Sequence, residues 1–314
     1  MLFRSVGVQD SGVSVSSSAV QRFVGTRFRR IITGDPAGVP PWLDQVARGE
    51  TGGLYSPEDA PWQVHADFAT LIGGIRALLM QTLHPATLAG VAQHSRYESD
   101  AIGRLAGTTR WLTISTFACT EEVMKEAARV NAMHARVRGT YSSAGGNQVN
   151  YSSTNEDLLL WVHMAFTQSF LIAHQTYSRR PIPGGADAYV SQWAKSVEPL
   201  GLHSAPTSVA QLDEAIEGLY RTGVLSVSST TLRVVAFLKR PPLSATARVG
   251  YRILFACAAV TLPERYQEML ELPRYPRALV VPLGRFFLRA LRKGVGPESP
   301  IEDAALAQIG RAHV

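Results

Sequence analysis

Histidine, arginine and threonine recur at helical spacing in the middle of the chain. His134 and Arg138 stand four apart in Asn131-Ala-Met-His-Ala-Arg-Val-Arg-Gly139, and Arg104 and Thr108 stand four apart upstream. Residues four apart share one face of an α-helix. A neutral imidazole offers a lone pair to a metal, and a guanidinium beside it clamps an anion. His84 directly precedes Pro85, and His163 closes the apolar run Leu158-Leu-Leu-Trp-Val-His163. Imidazole, guanidinium and hydroxyl groups from neighbouring helices are what a haem pocket in a helical protein needs. Imidazole gives the axial bond, arginines meet propionates or polarise bound oxygen, and apolar faces hold the macrocycle. Each residue also has a purely structural reading. A histidine before proline caps a broken helix, and an arginine sits on a solvated face. A threonine bonds back to a carbonyl, and a histidine among leucines is a hydrogen-bonded core residue.

The elements that must carry these groups are helices. Val64 to Leu83 has a wide apolar face, is interrupted at His84-Pro85, and resumes over 86–93. Helices are expected over 101–118 and from Thr120 to Arg138, with Gly139 as the stop. Residues 139–153 read as loop, and Thr154 to Tyr177 as the central, most apolar helix. Further helices follow over 186–197, 208–222, 229–237, 245–261, 263–271, 276–293 and 301–312, and a short basic one is expected over 20–33. No alternating strand pattern and no repeat stands out. The expected fold is mainly α, a single-domain multi-helix bundle with a haem pocket between helices. Residues 1–55 form an arm and linker, 56–295 the helical domain, and 296–314 a tail.

Composition excludes several classes. The 314 residues carry a formal net charge of +6, scattered and without aromatic interleaving, so nucleic acid is not expected as a partner. The two cysteines, Cys119 and Cys257, form no metal-binding spacing and read as buried apolar residues of a reducing compartment. Residues 1–20 lack the pattern of a targeting segment, and no apolar run is long enough to span a bilayer, so a cytoplasmic location is expected. The basic, amphipathic stretch Arg285 to Lys293 suits peripheral membrane contact or a plain surface helix. The oligomeric state is left open.

The motifs also bring a resemblance. Leu78 to Val91, followed by His94-Ser95, resembles the opening motif of the MpaB / latex-clearing-protein oxygenase family. Arg104-Leu-Ala-Gly-Thr108 is similar to its arginine–threonine motif, Arg129 to Gly139 to its histidine motif, and Leu158 to His163 to its later helix. The resemblance covers about residues 65–200. It implies a mainly helical fold and, as in the rubber-cleaving members, haem b ligated by His134, with Arg104 and Thr108 in the same pocket. It further implies dioxygen-dependent cleavage of a carbon–carbon double bond in an isoprenoid chain. One departure is Gly107, where the rubber-cleaving members can carry a lysine that caps the distal iron position.

The expected function is therefore that of a haem b-dependent oxygenase acting with dioxygen on a small apolar, isoprenoid- or lipid-like substrate. His134 is the metal ligand, Arg138, His84 and His163 are further cofactor-binding residues, and Arg104 and Thr108 are the catalytic pair. Two alternatives stand beside it. One is a non-haem metal enzyme gathering His84, His94, His134 and His163. The other is a non-catalytic helical carrier of haem or of a hydrophobic ligand.

Overall fold

The computed structural model describes residues 42–49, 51–94, 101–143, 146–296 and 299–312, with residues 21, 25, 26, 29, 30 and 40. The helix expected over 20–33 and the loop over 95–100 fall largely or wholly outside them. Among the described residues there are fourteen α-helices and one two-stranded sheet. The first seven helices are α1 Leu43–Val46, α2 Ala60–His65, α3 Ala69–Gln81, α4 Pro85–His94, α5 Ala101–Phe117, α6 Thr120–His134 and α7 Glu156–Tyr177. They are followed by α8 Gly185–Ala194, a 3-10 turn Lys195–Leu200, α9 Val209–Arg221, α10 Ser229–Lys239, α11 Ala245–Ala259, α12 Glu264–Met269, α13 Arg277–Val295 and α14 Pro300–Ala312. The fold is mainly α, and no helix among the described residues is long and apolar enough to cross a membrane.

The central layer is α3 packed along α7. The side chain of Asn155 accepts from the amides of Asp157 and Leu158, which starts α7, and Glu156 and Asp157 favour its first turn. Trp161, Met164, Phe170 and Leu171 are then buried against Ile72, Leu79 and Met80 of α3. Gly73 allows the two backbones to meet. A Cβ there would lie 2.6 Å from Phe170 Cδ1, 3.1 Å from Phe170 Cα and 3.2 Å from Ser169 O. Backbone atoms cannot swing aside, so Gly73→Ala is expected to destabilise the chain by about 1–3 kcal/mol in urea unfolding. Unchanged stability would mean that the helices can separate freely.

Arg76 bolts the same pair together. It is fully buried and donates to Ser169 Oγ at 2.8 Å, to Gln168 Oε1 at 3.1 Å and to Met80 Sδ at 2.9 Å. Burial, only partly offset by Tyr266 and Asp213, pulls its pKa down to about 9.

The long helix expected from Val64 to Leu83 is broken at 66–68. Asp67 is the reason: its Oδ1 accepts from the Ala69 amide at 2.8 Å, while Oδ2 takes Ser178 Oγ at 2.8 Å and Arg292 at 2.7 Å. A buried aspartate that bonds the backbone locally ends one helix and opens the next.

Two further expectations are corrected. The helix of His134 ends at His134 itself, and Arg138 begins a strand. Strand β1 (Arg138–Ser142) pairs antiparallel with β2 (Gln148–Ser152), where a loop was expected. Gly139 is thus no helix stop. It lets the hairpin lie against α4, since a Cβ there would meet Gln93 Oε1 at 2.5 Å and the Tyr151 ring at 3.1 Å.

The ends of the described chain close the molecule. Helices α1 and α14 pack on each other and on α5, burying Trp42, Val46 and Ala305 with Ile114 and Phe117. Helix α13 carries arginine and lysine but no acidic residue; its outer face exposes Leu279, Leu283 and Phe286 beside Arg285, Arg289 and Lys293.

Candidate active site

Helices α4, α5, α6, α7 and the 3-10 turn enclose a cavity of about 580 Å³. Its lining is largely apolar. Leu158, Leu159, Val162 and Phe166 come from α7, Val130 and Met133 from α6, Ala86 and Val91 from α4, and Trp111 and Leu112 from α5. The volume falls in the range of about 300–1,000 Å³ for small-molecule and cofactor sites.

Of the histidines and the arginine–threonine pair singled out in the sequence, His94, Thr108, His134 and His163 lie on this wall. His134 sits at the last residue of α6. Its ring makes no hydrogen bond among the described residues, and its Nδ1 is buried without a partner. Burial, then the nearby charge of Arg129, lower its pKa, so the imidazole is neutral at pH 7. A neutral ring that commits neither nitrogen to the protein keeps a lone pair for a metal.

His163 also lines the cavity, but its Nε2 lies 3.4 Å from Thr167 Oγ1, and that hydroxyl bonds the His163 carbonyl at 2.7 Å. Burial pulls its pKa down to about 4.

The other predicted residues are placed differently. His84 is not on the cavity wall. It is buried against Trp161, ring centroids 6.0 Å apart, and its Nδ1 has no partner among the described residues. Arg138 is exposed on the hairpin and donates to the Ala135 carbonyl at 2.9 Å. The expected shared helix face of His134 and Arg138 therefore does not exist. Arg104 lies on α5, and its side chain is outside the described residues.

Among the described side chains, the cation that reaches the cavity is Arg129 on α6. Buried Glu126 holds it at 2.6 Å and holds Arg110 of α5 at 2.9 Å, tying the two helices that carry Thr108 and His134. This clamp was overlooked in the sequence, although Glu126 and Arg129 stand at the i, i+3 spacing of a helical ion pair. Two more wall residues escaped notice, Gln81 and Thr87. Gln81 Nε2 and Thr87 Oγ1 are buried polar atoms without partners among the described residues. Such orphans are rare in folded proteins and mark places where a ligand or water completes the bonding.

Among the described residues no three of histidine, cysteine, aspartate and glutamate come together as a metal site. The gathering of His84, His94, His134 and His163 is not formed: His84 is off the wall, and the His94 Nε2 is spent on the Arg138 carbonyl at 3.1 Å.

Compared with known proteins, residues 62–293 match the family model described as ER-bound oxygenase mpaB/B'/Rubber oxygenase, catalytic domain. No curated protein and no solved structure matches the chain. The match spans the helices that build the cavity and contains Thr108, His134 and His163, so the chain belongs to the mpaB/rubber oxygenase family and carries its oxygenase catalytic domain.

Proposed function

We propose that the chain is a haem b-dependent oxygenase that uses dioxygen on a small apolar, isoprenoid- or lipid-like molecule, with oxidative cleavage of a carbon–carbon double bond as its reaction. The observation that carries this reading is His134: a neutral, unpartnered imidazole on the wall of a largely apolar cavity of about 580 Å³. The residues present fit a haem. The walls are leucine, valine and aromatic side chains, the donor is a single imidazole, and the orphaned Gln81 Nε2 and Thr87 Oγ1 await partners.

In this reading His134 holds the iron. Arg129 takes the part first given to Arg138, because it reaches the cavity while keeping Glu126 as its counter-charge. Thr108, with Thr87 and Gln81, offers the hydrogen-bonding groups of the pocket. The walls from α4 and α7 exclude water and hold an apolar substrate. Bound there, haem supplies the redox chemistry with dioxygen that these side chains lack. His163 keeps the wall polar at one point but stays neutral, so it adds no charge that an apolar substrate would have to cover.

Titration of the purified chain with hemin tests the reading. A Soret band that saturates at one hemin per chain, and shifts on reduction with dithionite, is expected. A folded helical protein that gains no such band overturns it.

A further inference from the structure

A second cavity, of about 700 Å³, lies on the other side of α5 from the first. It is built where the break between α2 and α3, the C-terminal end of α13 and the start of α14 meet. Its chemistry differs from that of the first. The floor is apolar, with Phe68, Leu71, Leu112 and Phe117. The rim is cationic, with Arg180, Arg289, Arg292 and Lys293. Arg292 is committed to the buried carboxylate of Asp67 at 2.7 Å, whereas Arg289 and Lys293 form no ion pair among the described residues. The other acid on the wall, Glu302, has its carboxyl pKa raised mainly by burial, while Ser299 and the nearby charge of Arg180 act the other way.

The two cavities are separated by the thickness of a side chain. Leu112 lines both. The His65 ring, on the wall of the second, lies 4.3 Å from the Trp193 ring and 5.2 Å from the Phe170 ring, both on the wall of the first. Burial pulls the His65 pKa down to about 3, so the ring stays neutral, with its nitrogens bonded to Thr116 at 2.8 Å and Tyr189 at 3.0 Å. A cofactor in the first cavity would take up much of its space. A long substrate would then need room elsewhere, and the second cavity is the adjoining room.

We propose that the second cavity binds an anionic single-chain amphiphile, its head between Arg180, Arg289 and Lys293 and its chain along Phe68 and Leu71 toward Leu112. The direction of the chain toward the first cavity rests on the oxygenase reading; binding of the amphiphile does not. The chemistry is that of a charged-head lipid: guanidinium and ammonium groups recognise a carboxylate or a phosphate, and the aromatic and leucine floor covers the chain.

The test uses the full chain and a long-chain polyene carboxylic acid whose fluorescence rises in apolar surroundings. Hexadecanoic acid, hexadecyl phosphate and hexadecanol compete with it. The probe is expected to bind saturably at one per chain. The acid and the phosphate displace it, the tighter of the two naming the natural head, and the alcohol competes about ten-fold more weakly or worse. Arg289→Glu with Lys293→Glu, both on exposed positions, is expected to weaken the acid about ten-fold or more. Leu71→Trp, which fills the floor, is expected to weaken acid and alcohol alike. Equal competition by acid and alcohol, or unchanged acid affinity in a charge-reversed variant with a wild-type melting temperature, overturns the proposal. Each titration is run with and without hemin. Charge-dependent acid binding without a Soret band leaves this site standing and overturns the haem reading. A Soret band without charge-dependent acid binding does the reverse.

Discussion

His134→Ala is expected to abolish the Soret band that hemin gives with the wild-type chain, or to weaken hemin binding by at least about 100-fold, the upper end of what loss of a mere supporting group costs a metal site. The ring leaves no hydrogen bond behind when it is removed, because it makes none among the described residues. Its loss should therefore leave the melting temperature of the hemin-free chain nearly unchanged, and a structural histidine would do the opposite. Added imidazole is expected to restore the band in the variant by occupying the vacated position. His163→Ala is the control on the same wall: its loss should alter the position of the band but not its stoichiometry. If His134→Ala keeps wild-type hemin content and spectrum while His163→Ala loses them, the ligand is His163 and the assignment is wrong.

His134 stood out in the sequence, and the structure places it on the cavity wall; its neighbourhood was less legible. The apolar run of Leu158 to His163 announced α7, and α7 is indeed central. His84-Pro85 announced the boundary between α3 and α4. The segment after His134 misled because Ala135, Arg136 and Val137 are all compatible with a helix. What ends the helix is tertiary: the chain turns at Ala135 to pair Arg138 with Ser152, and the hairpin buries Tyr151 beside Ala86 and Ala89 of α4. Its strands are short and polar, so the two-residue alternation that marks a strand was faint. Attention to the pair four apart, His134 and Arg138, hid the cation five residues before His134, Arg129. Ion pairs between helices, such as Glu126 with Arg110, are set by how α5 and α6 pack and cannot be read from either helix alone. The same holds for the orphaned Gln81 and Thr87. A local sequence reveals that a side chain is polar, not that it lacks a partner. The break at Asp67 belongs here too, since its strength comes from Ser178 and Arg292, more than a hundred positions away in the chain.

Acid is expected to unfold the chain at a pH well above that at which its carboxylates titrate. His65, His84 and His163 are buried, and burial pulls their pKa values down to about 3, 4 and 4. In the unfolded chain each imidazole titrates near about 6.5. Above that pH neither state binds the proton, and these groups make no difference. Between about 6.5 and 4 the unfolded chain takes up protons that the folded chain refuses, so stability falls as pH falls. At pH 5 each such histidine costs about 2 kcal/mol. Three together cost about 6 kcal/mol, a large share of the roughly 5–15 kcal/mol by which a domain is stable. Urea unfolding at pH 7 and pH 5 should therefore show a steep loss, with these three rings alone contributing about three protons to the slope near pH 5. His65→Gln, which removes one titrating group, should flatten that slope by about one proton even if it lowers stability overall. A free energy of unfolding that stays level from pH 7 to pH 5 would mean that these rings are not held neutral in the fold. The same window separates structure from cofactor. His134 is also held below the ordinary histidine value, by burial and by Arg129, which favours the neutral ring that a metal needs. Loss of hemin on acidification should accordingly follow unfolding, with both transitions at one pH, rather than precede it as protonation of an exposed ligand would.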